Sequence, residues 1–291
     1  MSAVQPEAFY GRRSKDRHGA GNTPFRYPGG KAFLADALEQ RLTQAGCIET
    51  YAEPYAGGAG AAVELLARNA VSKLVLNDFD RRIYSAWHSI IFNTDKLIER
   101  ILATKMSVEL WRECQELVLH KSDCADLFEL GFATFFLNRT NRSGVILGAG
   151  PIGGYKQQGK WLIDARWYPQ TMCKRIQWLG QKRDQIELHN DDGLRFLKRF
   201  SREQAQSIFF FIDPPYVQAG AKLYMNAMSD LKHRDLASYL TSGQVLKHWL
   251  VTYDNNPLVL DAYKLAKTES LPVRYSLHQK RMEEEVVFSP A

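Results

Sequence analysis

Residues 207–216, SIFFFIDPPY, set an aspartate, two prolines and a tyrosine directly behind an apolar run. Pro214 and Pro215 fix two φ angles and bring no N–H, so the turn is stiff and its carbonyls are acceptors held beside the Asp213 carboxylate. Two acceptors side by side suit a group with two donor hydrogens, an –NH₂. Tyr216 adds a flat ring that can stack on an aromatic substrate. An exocyclic amine on a nucleobase meets all three features. Its lone pair is delocalised into the ring, which makes it a poor nucleophile. Two acceptors can draw its hydrogens out of the ring plane, restore sp³ character and aim the lone pair at an electrophilic methyl group. Positioning for an in-line displacement then does much of the work. Acceptors fixed in advance also stabilise positive charge growing on nitrogen. A base inside a duplex must be everted to reach such a pocket. The plain alternative is a strand that happens to end in a proline-rich turn.

A second stretch, ETYAEPYAGGAG (49–60), reads as a short strand, a glycine-rich turn and the start of a helix. The dinucleotide fingerprint G-x-G-x-x-G fails here, because Gly58 and Gly60 are followed by Val63 at the third position. No G-K-[ST] follows, so a P-loop is excluded as well. Asp78 ends the next strand, KLVLND, where an acid can accept hydrogen bonds from ribose hydroxyls. A glycine-rich loop with a ribose acid and no pyrophosphate cradle indicates a mononucleoside cofactor, for which S-adenosylmethionine is the natural candidate.

Strands alternating with helices must carry these residues. QIELHN (185–190), SIFFFI (207–212) and HWLVTYD (248–254) read as further strands, and the run 207–212 is apolar on both faces, as a central parallel strand should be. The expected fold is therefore α/β: a doubly wound, mostly parallel sheet. VRYSLHQ and EEVVFSP suggest a closing hairpin, and RMEEEVVF reads as an edge strand with a charged flank. Between about residues 81 and 178 helical periodicity replaces strand pattern. The expected organisation is a flexible tail at 1–22, a sheet domain from 23–80 and 179–291, and an inserted, mostly helical module at 81–178.

Composition is that of an ordinary globular chain: 45% hydrophobic and 24% charged over 291 residues, with a net charge of +6. The charge is concentrated. Between Arg139 and Arg183 nine Lys/Arg face a single acid, Asp164, and Tyr155, Trp161, Trp167, Tyr168 and Trp178 are interleaved with them. That mixture suits phosphate contacts and base stacking, whereas the bland reading is a solvated basic face. The four scattered cysteines, without a C-x-x-C pair, and the absence of a signal-peptide pattern or a membrane-length apolar run point to the cytoplasm. The histidines show no metal-ligand spacing, so no metal is expected.

Taken together, these motifs resemble the Dam-like adenine-specific DNA methyltransferases of the DPPY type over roughly residues 25–288. The resemblance implies the class I S-adenosylmethionine-dependent methyltransferase fold and a nucleoid-associated monomer acting on double-stranded DNA, with a cognate restriction endonuclease as a further candidate partner. FRYPGGK (25–31) is similar to the N-terminal cofactor motif. It implies that Tyr27 lies against the cofactor and that Lys31 faces the cofactor's carboxylate or the target site. EPYAGGAG implies cofactor contacts from Glu53, Tyr55, Gly57, Gly58 and Gly60, and LNDFD one from Asp78. HNDDGLRFL implies that Asp192, with Asp191 as the alternative, approaches the cofactor's adenine amine. DPPY implies a catalytic tetrapeptide of Asp213, Pro214, Pro215 and Tyr216, with Asp213 also close to the cofactor. FFLNRTNRSG resembles the start of the target-recognition region and implies DNA contacts from Arg139, Asn141 and Arg142. The chain departs from the family at Tyr27, where tryptophan is frequent, and after Arg142, so the target sequence is not carried over. Cytosine-amino and protein-glutamine methyltransferases share the logic but usually begin the tetrapeptide with Ser or Asn; a DNA-binding regulator that has lost the chemistry is the alternative from another class.

Overall fold

The computed structural model describes residues 23–26, 30–46, 48–217, 228–243, 245–275 and 281–291. Tyr27, the tail at 1–22 and most of the segment AGAKLYMNAM lie outside the described residues. A 3-10 turn at Lys31–Leu34 runs into α1 (Ala35–Ala45), followed by β1 (Thr50–Glu53), α2 (Gly60–Ala67) and β2 (Lys73–Asn77). Helices then follow without an intervening strand: α3 (Arg81–Phe92), α4 (Thr94–Ala103), α5 (Val108–His120), α6 (Leu127–Thr140) and α7 (Pro169–Gln181). β3 (Ile186–His189), the short α8 (Gly193–Leu197) and α9 (Arg202–Ala205), and β4 (Ile208–Ile212) return to the alternating pattern. α10 (Asp230–Thr241), β5 (His248–Asp254), α11 (Pro257–Ala262), β6 (Lys267–Tyr275) and β7 (Arg281–Ser289) complete it.

These strands form one sheet in the order β3-β2-β1-β4-β5-β7-β6. β1 to β5 are parallel, while β7 runs antiparallel to both β5 and β6. From β1 the chain first winds outward through β2 to β3, then returns to start the other half at β4. β1 and β4 are therefore the neighbours at which the order reverses, and a crevice opens beyond their C-terminal ends.

Side-chain alternation splits the sheet between two cores. Tyr51, Leu74, Leu76, Phe209, Phe211 and Leu250 face α1 to α7, whereas Ala52, Val75, Phe210, Trp249 and Val251 face α8 to α11. The three consecutive phenylalanines of β4 thus serve both sides, and none is more than 4% exposed. Among the helices, α6 is apolar all round because it is the buried axis of its layer: every residue from Leu130 to Thr140 is buried. The Asp126 carboxylate caps it by accepting from the N–H groups of Phe128 and Glu129. Gly131 lets it cross α3 closely; a Cβ there would collide with Ser89 Oγ and the Ser85 carbonyl.

One expectation is corrected. RMEEEVVF is not an edge strand: β7 lies between β5 and β6, and β6 is the edge. The closing hairpin is also longer than expected, with nine residues in each strand. Its charge pattern misleads because Glu285 is buried, at 2% exposure, rather than solvated.

Candidate active site

Four acids line the C-terminal rim of neighbouring strands: Glu53 at the end of β1, Asp78 after β2, Asp192 after β3 and Asp213 after β4. Parallel pairing brings them together, since each strand presents its C-terminal end to the same edge. Asn77, buried at the end of β2, ties two of the intervening loops to each other. Its Nδ2 donates to the carbonyls of Pro54 at 2.8 Å and Asp191 at 2.9 Å, and its Oδ1 accepts from Asp191 N at 2.9 Å.

Asp213 has the densest surroundings. Thr252 Oγ1, from β5, donates to Asp213 Oδ1 at 2.5 Å, and the Tyr216 hydroxyl donates to the same oxygen at 3.1 Å. Lys31 Nζ lies 3.1 Å from Asp213 Oδ2 and donates to the Tyr216 hydroxyl at 2.8 Å. The aspartate keeps about a quarter of its side chain exposed, whereas Lys31 is 6% exposed. Glu285 Oε1, on β7, approaches the same ammonium to 3.5 Å. Burial alone would pull the Lys31 proton off more readily, but the charges of Asp213 and Glu285 and their hydrogen bonds outweigh it and hold its pKa above the usual lysine value.

The glycine-rich loop is shaped rather than open. Gly57 and Ala59 have φ of 47° and 42°, the left-handed region, which lets the chain turn sharply into α2. Its N–H groups are used within the protein: Ala56 N donates to Asn77 O at 2.9 Å, Gly57 N to Asp78 Oδ2 at 2.8 Å and Ala59 N to Ala56 O at 2.6 Å. The loop thus spends three of its donors on a carboxylate and on carbonyls within the protein. Thr23 Oγ1 and Trp87 Nε1 brace it from below, donating to the carbonyls of Gly58 at 2.6 Å and Gly57 at 2.8 Å.

Two of the acids are held close to neutral. Burial first, and then the Asp213 charge, push Glu53 up to about 8, although Ala62 N donates to its Oε1 at 3.2 Å. Asp78 keeps some contact with solvent, yet the protein crowding its carboxylate and the nearby Asp80 push it up to about 7. Asp192 Oδ1 caps α8 by accepting from Leu194 N and Arg195 N, and its Oδ2 pairs with Lys232 Nζ at 3.2 Å. Asp191 instead pairs with Arg195. Tyr55 is packed beneath Gly193, where an added Cβ would run into its ring.

The expected DNA-contacting residues fall into two groups. Arg142 is exposed on the segment after α6. Arg139 is buried and donates to the carbonyls of Arg166, through Nε at 3.0 Å, and Pro24 at 3.4 Å; burial and the nearby Arg26 and Arg175 lower its pKa to about 10. Asn141 is buried too: its Oδ1 accepts from Trp111 Nε1 at 2.6 Å and its Nδ2 donates to the carbonyls of Val145 at 2.8 Å and Ile146 at 3.1 Å. Asn138 clasps both carbonyl and N–H of Arg26 and the carbonyl of Gly144. These buried groups shape the loop that carries exposed Arg142, Lys156, Lys160, Arg166, Tyr155, Trp161 and Tyr168.

Sequence reasoning missed Thr252, Glu285 and Asn77 as members of this rim. Thr252, two places before the end of β5, and Asn77, the last residue of β2, are polar residues in otherwise apolar strands, which was the available signal for both; Glu285, in the middle of β7 behind two further glutamates, gave none.

A family model described as D12 class N6 adenine-specific DNA methyltransferase matches residues 27–280. No curated protein matches the chain. Among solved structures, the rRNA methyltransferase aviRa from Streptomyces viridochromogenes is similar over 99% of this chain and 93% of its own, at 12% identity and a TM-score of 0.36, a likeness too slight to bear on fold or function. Among the described residues, no helix is long and apolar enough to cross a membrane.

Proposed function

Because the chain belongs to the D12 class of N6-adenine-specific DNA methyltransferases, which act on adenine in DNA with S-adenosylmethionine, we propose that Asp213 and the carbonyl beside it receive the 6-amino group of an everted adenine. The observation that carries this reading is the lock on Asp213: hydroxyls of Thr252 and Tyr216 on one carboxylate oxygen and the Lys31 ammonium on the other. A carboxylate fixed by three donors before substrate arrives needs no reorganisation when positive charge grows on the amine nitrogen. About a quarter of the Asp213 side chain stays exposed at the end of β4, beside β1, leaving room for a substrate group.

The rim residues fit the cofactor. An acidic edge suits a cationic nucleoside bearing hydroxyls, an amine and an ammonium group. Bound there, S-adenosylmethionine supplies the electrophilic methyl group. Asp78 would accept from its ribose hydroxyls, Asp192 Oδ2 from its adenine amine, and Glu53, Tyr55, Gly57, Gly58, Gly60 and Lys31 would line its path; Tyr27, outside the described residues, is a further contact expected from the sequence. Pro214 and Pro215 keep the acceptors rigid.

Residues 81–178 act in this reading as the target-recognition module, with Arg142 and its exposed cationic and aromatic neighbours tracking phosphates and bases. Arg139 and Asn141 serve it from inside by fixing the loop. The enzyme is read as a cytoplasmic monomer working on nucleoid DNA, with a cognate restriction endonuclease as the further partner to seek.

Incubating the purified protein with methyl-labelled cofactor and duplex DNA tests the reading. The expected product is N6-methyladenine, lost by at least about 10²-fold in Asp213→Ala with DNA affinity largely kept. Near-normal turnover by that variant contradicts the role given to Asp213.

A further inference from the structure

Glu285 is an acid almost without solvent, set in β7 opposite Asp254 of β5. A buried carboxylate is retained only where it is paired and hydrogen-bonded. Its Oε1 stands 3.5 Å from Lys31 Nζ, while the same nitrogen stands 3.1 Å from Asp213 Oδ2 and 2.8 Å from the Tyr216 hydroxyl. The ammonium is therefore shared between two carboxylates, only one of which borders the crevice. We propose that Glu285 is a positioning residue for methyl transfer, acting through Lys31 to hold Asp213 and the Tyr216 hydroxyl in place and to keep this group of charges negative overall. The inference rests on the reading of Asp213 as acceptor of the target amine.

Two physical consequences separate this role from a merely structural one. Lys31 and Asp213 alone make a neutral pair, which attracts a growing positive charge weakly. Glu285 leaves one negative charge in surplus inside a site of low dielectric, where it counts for more than in water. It also draws the ammonium back from Asp213 Oδ2, so that Lys31 competes less with the incoming amine hydrogen.

Among the described residues, Lys31 faces Asp213 and Tyr216 from the end of β4 and Glu285 from β7, which itself lies opposite Asp254 of β5. Asp213 in turn faces Thr252 from β5, and its charge helps keep Glu53 of β1 protonated. Both carboxylates hold the Lys31 proton more tightly than burial alone would allow. Removing the charge of Glu285 loosens it, so the alkaline limb of the rate–pH profile moves to lower pH.

Single-turnover methyl transfer to a duplex that the wild-type protein methylates tests this with Glu285→Gln, Lys31→Met, the Glu285→Gln/Lys31→Met double variant and Asp213→Ala. Glu285→Gln is expected to slow transfer about tenfold or more, leave the KM values for cofactor and DNA within about twofold, and shift the alkaline limb toward acid. In the Lys31→Met background the same change should cost less than it does in the wild type, and an equal loss in both backgrounds overturns the role through Lys31. A Glu285→Gln rate within about twofold of wild type, with Asp213→Ala inactive, overturns this inference alone. An active Asp213→Ala overturns the reading beneath it and this inference with it. Should Glu285→Gln fail to fold, Lys31→Met/Glu285→Met removes both charges together. That variant is expected to transfer no faster than Lys31→Met, and a wild-type rate from it overturns the proposal.

Discussion

Thr252 Oγ1 donates to Asp213 Oδ1 across 2.5 Å, so the end of β5 fixes a carboxylate that belongs to the end of β4. The two strands are parallel neighbours, with Ile212 paired to Val251, which brings residues 213 and 252 side by side on the rim. Thr252 is fully buried, so its hydroxyl has no water to compete for it. Thr252→Val keeps the shape and removes the donor. A hydrogen bond to a charged group contributes about 1.5–3 kcal/mol, so single-turnover methyl transfer should fall about ten- to a hundredfold. Cofactor affinity should be unchanged by isothermal titration. An unaltered rate would remove Thr252 from the account.

Glu53 links the site to pH. Its carboxyl titrates near 8 in the folded chain, above its ordinary value of 4.5, because burial, aided by Asp213, disfavours the charged form. The folded state therefore holds this proton more tightly than the unfolded one. Its contribution is complete below pH 4.5 and is lost as pH rises toward about 8, an effect on the order of a few kcal/mol. Asp78 acts in the same direction up to about 7. Thermal unfolding without cofactor should show the wild type losing more stability between pH 5 and pH 8 than Glu53→Gln. Parallel curves would contradict the assignment.

Much of the site was legible because its chemistry is local. Asp213 with two prolines and a tyrosine, Asp78 at a strand end and the glycines before α2 are each set by a few adjacent residues, and the strands that carry them announce themselves by apolar runs. The doubly wound, mostly parallel character of the sheet followed from alternation of strand and helix, whereas the strand order did not. What stayed hidden depends on pairing across the chain. Glu285 looks like one of three surface acids until β7 is inserted between β5 and β6, and Thr252 looks like an ordinary strand residue until β5 lies beside β4. Arg139 and Asn141 carry side chains suited to DNA, but burial of the end of α6 and of the residue that follows it turns them inward.

That inward turn gives a contrast between two arginines three residues apart. Arg139→Ala removes donors from the carbonyls of Pro24 and Arg166 and should lower stability by about 1–3 kcal/mol in urea unfolding. Arg142→Ala, at an exposed position, should leave stability within about 0.5 kcal/mol, weaken DNA binding and reduce the slope of log K against log salt by about one. Equal effects of the two changes on salt slope would argue against this division.

At the crossing of α3 and α6 a single methyl group should suffice to disturb the helical layer. Gly131→Ala would press on the Ser85 backbone and on Ser89 Oγ, neither of which can swing away within a helix. Overpacking of this kind costs about 1–3 kcal/mol. The midpoint of urea unfolding should fall accordingly, whereas a stabilised variant would show the helices to be further apart than described.

The most direct measurement is a crystal structure of the protein with a target duplex and S-adenosylhomocysteine. The account predicts an adenine turned out of the helix with its N6 within about 3.2 Å of Asp213, the carboxylate still held by Thr252 and Lys31. An adenine left stacked in the duplex, or one held by other groups while Asp213 points elsewhere, would contradict it.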